Sequence, residues 1–282
     1  MDKNERGRVL LIGGSRSVPG GIGLTAEAAL RAGAGKVRVA TIESAAIALG
    51  VAIPEIAVLG LPEGIDGDIV CGGGSELDGL LHPIDAIVVG PAMGDSDAAG
   101  LVLDRVLANA ECNATMVMDA AALTCLTPGR IAQLYTRGQP VLLTPNEGEM
   151  AALLNCETYD IELDRSAAVR RVARLVSAVC LLKGSTIIVA TPDGDIFAYA
   201  GGGVGLATGG SGDVLTGIGG GACFEGSRAS SCVTVGGLAS RRGRAPLRRA
   251  DWPSRIPRTR AFTTHSGTVG KSLNNAEGSS TE

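Results

Sequence analysis

The chain is 282 residues long, 45% hydrophobic and only 2% aromatic, with 42 glycines. That length closes one large α/β domain or two small ones around a sizeable core, and the composition excludes disordered and fibrous classes. The net charge of −4 hides an asymmetry: residues 1–222 carry 15 basic against 25 acidic side chains, whereas residues 223–282 carry 10 against 4.

Short apolar, β-rich runs recur at Val9–Ile12, Val37–Ala40, Ile56–Leu59, Ala86–Val89, Met116–Met118, Val141–Leu143 and Val179–Leu182. Ala-rich helical stretches lie between several of them, notably Leu24–Ala32, Ala98–Ala110 and Ser166–Ser177. Alternation of this kind predicts one doubly wound, mainly parallel sheet flanked by helices. Ile187–Ala190, the turn at Pro192–Asp195 and Ile196–Tyr199 read as a hairpin added to that sheet. Ligands of such sheets collect at the carboxyl ends of the strands. No apolar run reaches the roughly 18 residues of a membrane span, and the opening segment has no leader-like apolar block, so a cytoplasmic location without a membrane partner is expected.

The motifs fall at those strand ends. Gly13-Gly14-Ser15 follows the first strand, and Gly20, Gly21 and Gly23 open the first helix in a spacing that departs from the dinucleotide fingerprint G-x-G-x-x-G. Turn formation and close packing account equally well for these glycines. Asp119 ends the fifth strand and either holds metal or substrate or caps a helix. Thr144-Pro145-Asn146-Glu147-Gly148-Glu149 follows the sixth strand, where Glu149 could orient water around a magnesium ion; helix capping competes with that reading.

Lys183-Gly184-Ser185-Thr186 sits between Leu182 and Ile187, where a bare ammonium wants an anion or must reach solvent. Gly209-Gly210-Ser211-Gly212-Asp213 precedes an apolar helical run from Val214 to Ile218 and reads as a phosphate seat at a helix N-terminus. A carboxylate beside a bound phosphate repels it, so Asp213 is explained as a general base for an attacking hydroxyl.

Cys71, Cys112, Cys125, Cys156, Cys180, Cys223 and Cys232 form no C-x-x-C pair and are expected as reduced thiols, while His82 and His265 have no partners at ligand spacing. From Cys223 on, periodicity fades into an arginine- and proline-rich stretch and a polar end. Residues 223–282 are expected to be an irregular, poorly ordered basic tail, a solvated terminus rather than a nucleic-acid arm.

Taken in order, GGS…PGGIGLTAEAALRAGAGKVRVAT, VVGPAMG, VMDAAAL, LLTPNEGE, LLKGST and ATGGSGDVLTGI resemble the ATP- or ADP-dependent NAD(P)H-hydrate dehydratase family of the ribokinase-like superfamily. The resemblance covers about residues 7–222 and makes residues 1–222 the expected catalytic domain. It implies repair of hydrated NADH or NADPH, in which ADP or ATP with magnesium phosphorylates the ring hydroxyl and phosphate then leaves. Asp213 matches the catalytic aspartate, which also contacts the hydrate. Lys183, Gly184, Ser185, Thr186 and Ile187, with Gly209, Gly210, Ser211 and Gly212, match nucleotide-binding stretches. Gly21, Gly94 and Asn146 fall at hydrate contacts, although Asn146 stands where the family usually carries histidine, and Ala92 where it usually carries glycine.

Asn146 and Glu149 also satisfy the N-x-x-E pattern of sugar kinases, which supports Glu149 near magnesium. A small-molecule kinase of the same superfamily and an inactive nucleotide-binding remnant are the alternatives. The family's relatives suggest a homo-oligomer, and no nucleic-acid partner is expected.

Overall fold

The computed structural model describes residues 6–70, 76–109, 112–200 and 207–222. The expected basic tail, residues 223–282, lies outside the described residues, as do Cys71, Cys223, Cys232 and His265. Nine strands, β1(Arg8–Ile12), β2(Lys36–Ile42), β3(Ala57–Leu61), β4(Ala86–Val89), β5(Thr115–Met118), β6(Val141–Leu143), β7(Val179–Leu182), β8(Ile187–Ala190) and β9(Ile196–Tyr199), form one sheet in the order β3-β2-β1-β4-β5-β6-β7-β8-β9. Strands β1 to β7 pair parallel, and β8 and β9 extend the sheet as the expected antiparallel hairpin.

Strand β1 alternates between two cores because both faces of a doubly wound sheet are covered. Val9 and Leu11 pack under α1(Gly21–Ala32) and α9(Ser211–Ala222), while Leu10 and Ile12 face the core shared by α3(Ser96–Ala108), α6(Glu147–Leu154) and α8(Arg165–Val176). Helices α1 and α9 lie unusually close. A Cβ at Gly221 would stand 2.6 Å from Ala32 Cβ, and one at Gly217 would overlap the Thr25 carbonyl oxygen.

Helix α1 begins at Gly21, three residues before the expected start, so Gly21 and Gly23 belong to the helix itself. Helix α3 ends at Ala108 rather than Ala110, and Ala110 is outside the described residues. Sequence periodicity does not announce α2(Glu43–Ala52), because Ile47 and Val51 are apolar yet exposed and blur the amphipathic pattern. Helices α4(Ala121–Thr124), α5(Pro128–Arg137) and α7(Thr158–Leu163) complete the layer. Helix α5 has its start and stop written locally: Thr127 caps it, Pro128 opens it and left-handed Gly138 ends it.

Five neighbouring parallel strands deliver their carboxyl ends to one rim: Gly13-Gly14 after β1, Gly90 after β4, Asp119 after β5, Thr144 after β6 and Lys183 after β7. Gly90 has φ +107, and a Cβ there would stand 2.6 Å from Ala122 Cβ, so the turn after β4 closes tightly only on glycine. Among the described residues no helix is long and apolar enough to cross a membrane. Among the described residues Cys112, Cys125 and Cys180 are buried free thiols and Cys156 is a half-buried one.

Candidate active site

Beneath the rim lies one buried carboxylate with three donors. Asp119 is 3% exposed. Its Oδ1 accepts from Lys183 Nζ at 2.7 Å and Thr144 Oγ1 at 2.9 Å, and its Oδ2 from Thr216 Oγ1 at 2.7 Å. These partners come from the ends of β6 and β7 and from the second turn of α9, so a single side chain joins three strands to the helix that carries Asp213. A buried charge is tolerable when it is paired and fully hydrogen-bonded, which this one is.

Lys183 Nζ also lies 3.5 Å from Glu149 Oε2. Burial pulls the Lys183 pKa down, but Asp119 and Glu149 together outweigh it and hold the ammonium above its ordinary value. The anion that Lys183 wants is thus supplied first by the protein itself. Its ammonium stands 3.6 Å from where a Gly212 Cβ would be, directly against the loop at the start of α9.

That loop turns at Gly210, with φ +83, where a side chain would collide with Leu24 Cδ1. Ser211, Gly212 and Asp213 form the first turn of a twelve-residue helix. The Ser211 N–H donates to the Thr208 carbonyl at 3.3 Å and the Asp213 carboxylate accepts its own backbone N–H, so the positive end of α9 faces the rim chiefly through Gly212. Gly21 opens α1 opposite: a Cβ there would stand 3.7 Å from Asp213 Oδ2 and 2.6 Å from Ala92 Cβ. Two helix N-termini therefore meet at one carboxylate. Burial, reinforced by the Asp119 charge and opposed by Lys183, pushes the Asp213 pKa up to about 6.

The comparisons with known proteins bear on this geometry. The family model described as NAD(P)H-hydrate dehydratase matches residues 9–239, most of the chain. The chain belongs to the NAD(P)H-hydrate dehydratase family. An ADP-dependent (S)-NAD(P)H-hydrate dehydratase of Xanthomonas campestris is 42% identical over 217 residues, covering 77% of this chain and 72% of that protein. A bifunctional NAD(P)H-hydrate repair enzyme of Moorella thermoacetica is 36% identical over 82% of this chain, but the chain spans only 43% of that longer relative. The ribokinase-like architecture is shared with an ADP/ATP-dependent NAD(P)H-hydrate dehydratase of Bacillus subtilis co-crystallised with ATP and Mg2+, at TM-score 0.71 and 25% identity, covering 86% of this chain and 81% of that one. The family match continues past residue 222 to residue 239, into the part outside the described residues.

Within this family framework the structure gathers Gly21, Lys183, Gly210, Gly212, Asp213 and Glu149 at one rim. Asn146 and Glu149 form a reciprocal capping box: Asn146 Oδ1 accepts the Glu149 N–H, and Glu149 Oε2 accepts the Asn146 N–H, each at 2.8 Å. The N-x-x-E spacing is the spacing such a box requires. Glu149 is nevertheless unusual for a cap, since burial, only partly offset by Lys183, raises its pKa.

Gly184, Ser185 and Thr186 form the β7–β8 connection, with Arg165 Nη2 donating to the Lys183 carbonyl at 2.9 Å. Gly94 lies two residues beyond Ala92, and its N–H is taken by Asp68 Oδ1 at 2.8 Å. Ala92 itself adopts φ +56, a conformation that explains a preference for glycine at that position. Sequence reasoning missed Thr144 and Thr216. The signal was there in Thr216, a lone hydroxyl among glycines and apolar residues one turn after Asp213.

Proposed function

We propose that the chain is an ADP- or ATP-dependent NAD(P)H-hydrate dehydratase that returns hydrated NADH or NADPH to the reduced cofactor. One observation carries this reading: Asp213 stands at the glycine-rich tip of α9, facing the tip of α1, with its pKa lifted to about 6. A carboxylate in that range is deprotonated at neutral pH yet basic enough to take a hydroxyl proton as the oxygen attacks a phosphoryl group.

In this reading the Gly209-Gly210-Ser211-Gly212 loop cradles the terminal phosphate, with the Gly209, Gly210 and Gly212 N–H groups as donors, and Lys183 to Ile187 flank the nucleotide. Asp213 removes the proton from the ring hydroxyl, whose oxygen forms the new P–O bond while the bond to the nucleotide breaks. The ring nitrogen's lone pair then expels phosphate, and loss of a proton from the adjacent ring carbon restores the reduced nicotinamide. Gly21, Gly94 and Asn146 line the hydrate side. The protein's part is mainly positioning and charge stabilisation.

Among the described residues no group of three or more His, Cys, Asp or Glu side chains could hold a metal ion. The donor set fits magnesium carried on nucleotide phosphates and completed by water, with Glu149 reached through that water. Bound there, the ion would offset charge on the transferring phosphoryl group.

Purified protein incubated with hydrated NADH, magnesium and ADP or ATP should regain the absorbance of reduced nicotinamide. A stable phosphorylated product would instead identify a small-molecule kinase. Nucleotide-induced thermal stabilisation without any turnover would identify a nucleotide-binding remnant.

A further inference from the structure

Asp119 is buried beneath the loop and the rim surface, and its carboxylate bonds side chains from the ends of β6 and β7 and from α9. Its three donors leave neither oxygen unpaired: Lys183 and Thr144 on one, Thr216 on the other. Thr216 is one turn after Asp213 on the same helix, and its hydroxyl also lies 2.9 Å from the carbonyl of Gly212. Lys183 carries the ammonium that faces Gly212. A capping role is excluded by this geometry, because the residue that follows, Ala120, takes φ +49 and α4 starts without a side-chain cap.

Resting on the nucleotide site proposed above, we propose that Asp119 is a positioning residue. It holds the Lys183 ammonium beneath the phosphate loop, in competition with the bound nucleotide, and through Thr216 fixes the turn of α9 that presents Asp213. The competition follows from electrostatics. The Asp119 carboxylate at 2.7 Å takes most of the ammonium's attraction, and Glu149 at 3.5 Å takes a further share. What is left for a phosphate in the ground state is small. Charge that builds on the transferring group draws on a cation already in place, with no reorganisation at that moment. Restraint of Lys183 therefore favours turnover over tight ground-state binding, the division that differential stabilisation of the transition state requires.

This predicts opposite changes in two quantities that a merely structural residue would move together. Asp119→Asn keeps the shape and leaves Lys183 a neutral acceptor in place of the carboxylate charge that competes with the nucleotide. Magnesium–ADP should bind about three- to tenfold tighter by calorimetry, while hydrate turnover falls by about tenfold or more. Unchanged or weaker nucleotide binding overturns the proposal.

Thr216→Val, nearly isosteric, should lower kcat while leaving the nucleotide dissociation constant unchanged, and Thr216→Ser should restore it. A Val variant that turns over like the unaltered protein, or a Ser variant as slow as Val, also overturns it. This pair decides the matter if Asp119→Asn fails to fold. The calorimetric arm needs no hydrate, so absence of dehydration in the unaltered protein would sink the dehydratase reading while Asp119 is still judged by nucleotide affinity alone.

Discussion

The two ends of the central strands treat carboxylates in opposite ways. At the amino ends, Arg8 at the start of β1 grips Asp85 just before β4 through Nε at 2.9 Å and Nη2 at 3.0 Å, with the Arg8 N–H adding a third bond at 2.8 Å. The pair is about one-third exposed, and the Arg8 hydrogen bonds hold the Asp85 carboxyl below its ordinary range. At the carboxyl ends, one ammonium, Lys183, serves Asp119 and Glu149 and offsets Asp213 as well, and both Glu149 and Asp213 are pushed upward by burial. One-to-one pairing near solvent balances its charges and adds modestly to stability. A shared cation under a desolvated rim leaves charge unbalanced, which a reaction can use and stability alone would not favour.

The largest effect should come from the rim. Asp213→Asn should cut turnover by about 10²- to 10⁴-fold, the usual cost of losing a general base, while nucleotide still raises the melting temperature. The kcat/KM of the unaltered protein should fall about tenfold per pH unit on the acid side of a limb near pH 6, because the base must be deprotonated to act. Asp85→Asn, at the opposite ends, should leave kcat/KM and its pH limb untouched. Equal losses in both variants would erase the contrast between the two ends.

A smaller effect separates packing from chemistry within the rim's own scaffold. Gly217→Ala places a methyl against the Thr25 carbonyl and 2.8 Å from Ala28 Cβ, so α9 must back away from α1. Overpacking of this kind costs about 1–3 kcal/mol. Since Gly21 and Asp213 face each other from these two helices, turnover should fall together with the denaturation midpoint. Gly138→Ala, in a left-handed turn after α5 with open space around it, should cost stability through backbone strain alone and spare turnover. If Gly217→Ala loses stability with full activity, the α1–α9 spacing does not set the site.

Most of the sheet was legible because its strands are buried on both faces and read as unbroken apolar runs between Ala-rich helices. The turn at Gly210 is legible as well, since a glycine run ahead of an apolar stretch marks a tight turn, whereas Gly212 lies one residue inside α9, which starts earlier than the apolar run at Val214. Thr144 and Thr216 were not, because a buried hydroxyl gains meaning only from Asp119, 25 and 97 residues away in the chain. Lys183 reads in the sequence as a cation in need of an anion. That the anion is the side chain at the end of β5, two strands away in the same sheet, depends on strand order, which no local pattern encodes. The Asn146–Glu149 spacing was open to two readings, and the observed capping box shows that one local device satisfies both residues. Exposed Ile47 and Val51 hid α2, since periodicity finds a helix by the face it buries.

The smallest effects have opposite signs at the two ends. Asp85→Ala removes a partly exposed bidentate pair and should cost about 1 kcal/mol at neutral pH. The folded pKa of Asp85 is lowered, so its contribution is present above the ordinary carboxylate range and is lost as pH falls through the folded value. The difference between variant and unaltered protein should therefore shrink in acid. Asp213 has a folded pKa of about 6 against an unfolded value of about 4. Between them the folded state holds more protons than the unfolded one, so stability declines as pH rises through that window. At pH 7 the ionised, half-buried carboxylate is a net cost, reduced by solvent screening to about 1 kcal/mol. Asp213→Asn should therefore stabilise the nucleotide-free protein at pH 7 and lose that advantage by about pH 4. Urea denaturation of both variants across this range tests the pair: a stabilising Asp85→Ala would mean that pairing with Arg8 had been misjudged at the amino ends, and a destabilising Asp213→Asn at pH 7 that burial had been misjudged at the carboxyl ends.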